Sequence, residues 1–542
     1  MRWIAQLMVV VATAAGPAAE AADADKLTFL DQGWTPADRQ QSYLTPPGSQ
    51  LLPYDWFLAL EQPFAAKPFR DRDFLEGFQL LWDAPNPAGN PDGLPLGFLK
   101  DTGPKGTAFV GATCAVCHTA EIHFNGARLR IDGGPGLVGY SDFREAFTDA
   151  LRATDADPGK MARFAERVLG PKHTKEQAVE LRQQVRAYAE GFADFCARNR
   201  PVYMNGFGRI DGFTMLINEI LGTALGEPDN YRSCAAPVSI PSLWGSAQLD
   251  WLQWNASVQN PTARNIVEIL AVYGHAGIGG KGQDLHFSTT ANLKNLNTTW
   301  QLLARLKPPA WPEDILGAID RNKAGRGEAV YRREKCAECH AERPPYPLTD
   351  PNEYGKRFVK IAKTSVAKVG TDPTAAADFV NRTARAGRLA PLVGGKETLP
   401  AYELFFVAVG GLTTAGFEQA GLTDAQKLEY SGFHANVLPG RAELLAYKAA
   451  PLAGVWATAP YLHNGSVPNL YQLLLPPEER IKTFHVGGRA FDPKHVGYVT
   501  DHGPERFEFR TTVPGNGNAG HAYGTKISDR ERWDLVEFLK TL

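Results

Sequence analysis

The chain has 542 residues and a formal net charge of -2, with 44% hydrophobic and 21% charged residues. That length suffices for several domains and a sizeable core, and the near-neutral balance excludes the strong field that draws nucleic acid or an anionic membrane surface. The 53 glycines and 39 prolines imply many ordered loops between a modest set of helices.

The first residues, MRWIAQLMVVVATAAGPAAEAADA, combine Arg2 with an apolar run over 3–15 and two small-x-small sites, Ala19-Glu20-Ala21 and Ala22-Asp23-Ala24. This is the pattern of a secretory signal peptide over residues 1–24. The run is too short to span a bilayer comfortably, and no later stretch reaches that length. A periplasmic or secreted protein without a membrane span is expected. Residues 25–100 are rich in aromatics and proline, with TPPGSQLLPYDWF and NPDGLPLGF as marked turns, and predict an ordered N-terminal cap. Residues 158–200 read as helix. Residues 312–335 read as a helix-like lead into the second cysteine motif. Residues 528–542 read as a terminal helix, with Ser528 and Glu531 as a capping box and Trp533, Val536 and Leu539 on one face.

Four of the six cysteines form two pentapeptides, Cys114-Ala-Val-Cys117-His118 and Cys336-Ala-Glu-Cys339-His340. C-x-x-C-H is the attachment pattern of haem c. Two thiols on one turn reach the two vinyl groups of one porphyrin, and the next residue points an imidazole at the iron. A zinc site would want the two pairs close together, but they lie more than 200 residues apart. A thioredoxin-like pair would want a βαβ frame, which is not evident. Two covalently bound haem c groups are expected, with His118 and His340 as iron ligands. Cys196 and Cys234 remain, either as a disulfide in an oxidising compartment or as two buried thiols.

The second axial ligand decides what each haem does, since a six-coordinate haem passes electrons and an open one binds O2 or peroxide. No methionine follows His340. His521, in the loop GNGNAGHAYGT, is favoured as partner for the second haem over a role as a surface-loop histidine, with His463 and His434 as alternatives. His123 lies too close to His118 to cross the porphyrin plane. Met204 and Met215 sit in helix-like context, so the first haem reads as open.

TPPGSQLLPYDWFLALE (45–61), NPDGLPLGF (90–98), CAVCHTAEIHFNGARLRIDGGPG (114–136), AAPVSIPSLWGSAQLDWLQWNAS (235–257) and WATAPYLHNGSVPNLYQLL (456–474) together resemble the bacterial di-haem cytochrome c peroxidase superfamily. The resemblance is closest to its rubber-oxygenase branch. It implies a mainly α chain of two cytochrome c-like haem domains, with long ordered loops and the N-terminal cap: cap and first haem domain over 25–310, second cytochrome c domain over 311–542. It implies an O2-reactive first haem and a bis-histidine second haem. It also implies a tryptophan between them, carried over to Trp244, with Trp251 and Trp254 as neighbours that compete for the role. Calcium between the domains is left open.

Three functions follow. An oxygenase needs an apolar pocket holding a C=C, so its substrate is an unsaturated apolar small molecule or polymer; the three tryptophans between Pro241 and Trp254 suit it. A peroxidase acting on H2O2 needs a proton-moving side chain above the iron and a small electron-donor protein; Glu219 and Glu268 are candidates, each of which also reads as a solvated helix residue. The third is electron transfer alone.

Overall fold

A computed structural model describes residues 27–103, 106–435, 437–503 and 506–542; the expected signal peptide lies outside them. The cap carries short helices at Pro36–Leu44, Tyr54–Ala59 and Arg72–Glu76, and strands join it to the first motif. β1 (Leu27–Phe29), β2 (Leu52–Pro53), β3 (Phe98–Thr102), β4 (Ala108–Ala112), β5 (Thr119–Phe124) and β6 (Ala127–Asp132) make two three-stranded sheets, ordered β1-β6-β5 and β2-β4-β3. Asn125-Gly126, both left-handed (φ 47° and 82°), closes the β5–β6 hairpin, as its twist requires. Cys114 follows β4 and His118 precedes β5, so the first motif sits where the two sheets meet.

Helix α1 spans Tyr140–Ala156. The helix expected over 158–200 is two. Gly170 (φ 82°) and Pro171 end α2 (Pro158–Leu169), and a Thr174–Gln177 capping box starts α3 (Lys175–Arg198). α4 is Pro261–Glu268. The lead into the second motif also divides. Gly317 (φ 97°) ends a turn at Glu313–Leu316, and Asp320 caps α5 (Arg321–Arg333). Strands β7 (Ala362–Ser365) and β8 (Ala446–Ala449) pair antiparallel on either side of α6 (Ala401–Ala420) in the chain. The terminal helix α7 (Asp529–Leu539) begins on the expected Ser528–Glu531 box. Its buried face is Leu535, Val536, Phe538 and Leu539, while Trp533 stacks on Tyr471 at 4.4 Å. α5 and α7 cross closely enough that a Cβ on Gly327 would lie 2.0 Å from the Asp534 carbonyl oxygen. Tyr331 packs on Phe538 (5.3 Å) and Arg326 holds Asp534 through two bonds of 2.6 and 2.8 Å. This clamp stands directly before the second motif.

The expectation of a mainly α chain of two cytochrome c-like haem domains is corrected. Of the described residues 41% are helix and 16% strand, the strands scattered in many small sheets. Short segments between the helices satisfy their backbone groups in ladders, several of them joining stretches far apart in the chain, such as Leu27 with Arg128 and Ala362 with Ala449. The two larger cores each gather residues distant in sequence. One unites Leu51 and Phe57 with Phe379–Leu412, and the other unites Ile122–Ile131 and Trp244 with Trp456 and Phe538. Cys196 and Cys234 are not joined. Cys196 Sγ contacts Thr148 Oγ1 at 3.5 Å, and the buried Arg144 guanidinium lies near both thiols. No helix among the described residues is long and apolar enough to cross a membrane.

Candidate haem centres

The two motifs fold alike. Cys114–Val116 and Cys336–Glu338 are each a single 3-10 turn, and the N–H groups of His118 and His340 return to the first cysteine's carbonyl at 2.8 and 2.9 Å. In each, the histidine Nδ1 meets a carbonyl from far along the chain: Pro241 for His118 and Ala450 for His340, both at 2.8 Å. A carbonyl oxygen only accepts, so Nδ1 carries the proton and Nε2 keeps its lone pair. A neutral imidazole with its tautomer fixed this way is the form that ligates a metal. Burial favours that form, pushing His118 down to about 4 and His340 below its ordinary value. Burial also pushes the Cys117 thiol up to about 12 and the Cys336 thiol up to about 11. A redox-exchanging pair would be shifted the other way.

His521 stands opposite His340. The ring centroids are 6.3 Å apart at 54° between planes. One iron held by both, with bonds of about 2 Å to each nitrogen, needs centroids roughly 6 Å apart. His521 Nδ1 is buried with no hydrogen-bond partner. Burial, and then the nearby His340, push this imidazole down to about 3. Two thiols and two facing neutral imidazoles are a donor set that fits a six-coordinate haem c. The alternatives to His521 are occupied otherwise: His463 is buried and stacked on Tyr447 at 3.9 Å, and His434 is buried and stacked on Phe358 at 3.8 Å.

Around the first motif, Gly97 and Gly136 allow close backbone approach: a Cβ at either would lie within 2.7 Å of the Val116 nitrogen or the Cys117 oxygen. The charges felt at Cys114 are those of Arg264 and Glu268, both on α4. Glu219 is engaged elsewhere. Its carboxylate takes Arg198 at 2.8 and 3.0 Å, with Asn199 and Thr223. His123 bonds Glu121 on its own strand (2.8 Å). Met215 is buried beside Arg144, and Met204 is exposed.

Trp244 is buried, and its indole N–H donates to the Ala453 carbonyl at 2.9 Å. Trp254 donates to Ser239 O at 2.9 Å, and its own carbonyl receives the Lys448 N–H. Trp251 carries the Lys363 ammonium over its ring at 3.3 Å. The residues that sequence reasoning missed act through backbone: the carbonyls of Pro241, Ala450 and Ala453. Side-chain identity carries no signal for them. Among the described residues, no three His, Cys, Asp or Glu side chains gather as a metal cluster.

The family described as "RoxA-like, cytochrome c-like" matches residues 446–485. That stretch holds β8, the Ala450 and Ala453 carbonyls, and His463. The cytochrome c-like likeness covers this one segment, which again departs from the expected pair of cytochrome c-like domains. The chain is 33% identical to the uncharacterized protein y4iJ of Sinorhizobium fredii over 96% of its own length and 94% of that protein's. It is 29% identical to the uncharacterized protein y4iM of the same organism over 57% of this chain and 65% of that one. This chain belongs to the family of y4iJ, and its RoxA-like, cytochrome c-like stretch marks it as a haem-containing oxidoreductase.

Proposed function

We propose that this protein is an exported di-haem oxidoreductase, with haem c on Cys114/Cys117 and on Cys336/Cys339. His118 holds the first iron, and His340 with His521 holds the second. The observation that carries this reading is the facing His340–His521 pair, 6.3 Å between centroids. The first haem supplies a face for O2 and the second supplies electron transfer. The chain's own residues do the rest. The Pro241 and Ala450 carbonyls hold the protons on Nδ1 of His118 and His340. Trp244 bonds, through Ala453, to the segment that orients His340.

The substrate in this reading is an unsaturated apolar small molecule or polymer, oxygenated at the first centre. The commitment of Glu219 to Arg198 removes one of the two carboxylates that a peroxidase would use to move a proton; Glu268, whose charge is felt at Cys114 and Cys117, stays beside the first centre, so the choice between O2 and H2O2 is left to the test below.

The test is intact mass of the protein from a host that attaches haem c, compared with Cys114→Ala/Cys117→Ala and Cys336→Ala/Cys339→Ala. Two haem masses are expected in the parent and one in each variant; a parent with fewer than two overturns the reading. Visible spectra in air and after one equivalent of H2O2, with O2 uptake on an unsaturated apolar compound, then separate the oxidants. Peroxide turnover with a reduced small cytochrome, without O2 uptake, would replace the oxygenase by a peroxidase.

A further inference from the structure

Arg480 is almost fully buried, at 1% exposure, yet no carboxylate pairs with it among the described residues. All of its hydrogen bonds go to backbone carbonyls. Nη1 donates to Asn518 (2.8 Å) and Gly520 (2.9 Å), Nη2 to His521 (3.0 Å) and Leu473 (3.1 Å), and Nε to Leu475 (3.2 Å). A guanidinium has five N–H donors in a fixed fork, and here five bonds tie two chain segments together. Burying a guanidinium with no carboxylate bonded to it is costly, even with the charge of Glu478 felt from two residues away, so the fold retains an expensive group whose bonding partners are the loop ending at His521 and the helical turn beneath it.

The other side of the same loop is also held. His521 N–H donates to the Val369 carbonyl at 2.8 Å, and His521 itself is left-handed, φ 44°. Gly520 passes so close to the Gly370 backbone that a Cβ there would lie 2.1 Å from its carbonyl carbon. The loop therefore cannot move toward 369–371, and Arg480 stops it from lifting away.

We infer that Arg480 is the positioning residue for His521: its five-carbonyl clamp sets the imidazole against His340 and thereby controls the sixth coordination of the second haem. This rests on the His521 reading above. The test compares Arg480→Gln, Arg480→Lys and His521→Ala as holoproteins of confirmed haem content. Readouts are the low-spin fraction of the second haem by electron paramagnetic resonance and its midpoint potential, with and without added imidazole. Arg480→Gln is expected to lose at least threefold of the low-spin fraction and to move its potential toward that of His521→Ala. Imidazole should restore the low-spin signal in both, and Arg480→Lys, which keeps the charge but not the fork, should fall between. A wild-type fraction and potential in folded Arg480→Gln would overturn the inference. So would a failure of both Arg480 variants to yield holoprotein while His521→Ala folds, since the residue would then serve the fold first. A wild-type low-spin signal in His521→Ala would instead sink the ligand reading itself.

Discussion

Helix α5 offers two glycines, two residues apart, for which the structure predicts opposite responses to one added methyl group. Ala is the better helix former by about 1 kcal/mol at a helix-interior position. At Gly325 a Cβ would meet nothing within 4 Å, so Gly325→Ala should stabilise by about 0.5–1 kcal/mol. At Gly327 the same atom would lie 2.0 Å from Asp534 O, 2.6 Å from Asp534 C and 2.8 Å from Phe538 Cβ. These atoms belong to α7 backbone and to the stem of Phe538, whose buried ring already packs on Tyr331, so no flexible side chain can yield. Relieving the contact means moving the two helices apart by about an ångström. Overpacking of this kind costs about 1–3 kcal/mol, and more where backbone must shift. That exceeds the propensity gain, so Gly327→Ala should destabilise by about 2 kcal/mol net, and the two variants should differ by about 3 kcal/mol. The assay is guanidinium unfolding of holoproteins with equal haem content, comparing midpoints of the same transition. Midpoints that move together, in either direction, would refute the close α5–α7 crossing.

Three further outcomes are expected. Glu121 is 3% exposed and bonds His123 (2.8 Å), Arg130 (2.6 Å) and Arg128 (3.1 Å); Glu121→Gln leaves the fully buried Arg130 without its counter-charge and should cost about 3–5 kcal/mol. Burial alone would raise this carboxyl, but His123, Arg130 and Arg128 outweigh it and hold it well below the usual range. Its contribution is therefore fully present above the unfolded value of about 4.3 and is lost as pH falls below that; an acid-unfolding curve for Glu121→Gln that keeps the full parental slope below pH 4 would contradict this. Trp244→Phe removes the bond to Ala453 and should cost about 1 kcal/mol, with both haem spectra unchanged and stopped-flow electron equilibration between the haems slowed; unaltered equilibration removes Trp244 from the path. Finally, denatured holoprotein should show two alkylatable cysteines by peptide mass, Cys196 and Cys234, whereas none without reductant would mean that they pair.

Much of the candidate site is legible in side chains. The C-x-x-C-H pairs, the Ser528–Glu531 box and a histidine in a glycine-rich loop are local patterns, and each folds locally as its chemistry dictates. The strands beside the first motif are less legible. Thr119–Phe124 and Ala127–Asp132 flank an Asn-Gly turn, the strongest short hairpin signal, but each run is only six residues long and carries charged residues, so the pattern by itself names no sheet partner. The break at Gly170-Pro171 was written in two residues, yet the helix-forming composition on both sides masked it. Arg480 is invisible for a different reason. Arginine is ordinarily a surface residue, and only the path of the loop over 518–521 turns this one into an internal clamp.

The arrangement of the two histidines follows from the backbone acceptors. His118 donates to Pro241, and three residues on, Trp244 donates to Ala453. Three residues before Ala453, Ala450 accepts from His340. Two short peptide segments, 241–244 and 450–453, thus connect the imidazoles through three hydrogen bonds of 2.8, 2.9 and 2.8 Å, with one buried indole at the centre. Neither histidine can turn its ring without breaking a bond to a segment that the indole holds in place. A shift at one centre therefore has a physical route to the other that needs no movement of whole elements. The segment that receives both the indole and His340 lies within 446–485, the stretch in which the cytochrome c-like likeness is concentrated. The likeness thus falls on the part of the chain that orients the second histidine, and not on either cysteine motif, whose short pattern can be satisfied in many folds. Within this stretch the Ala450 carbonyl accepts from His340 and the Ala453 carbonyl from Trp244, a support that a pentapeptide motif alone does not supply.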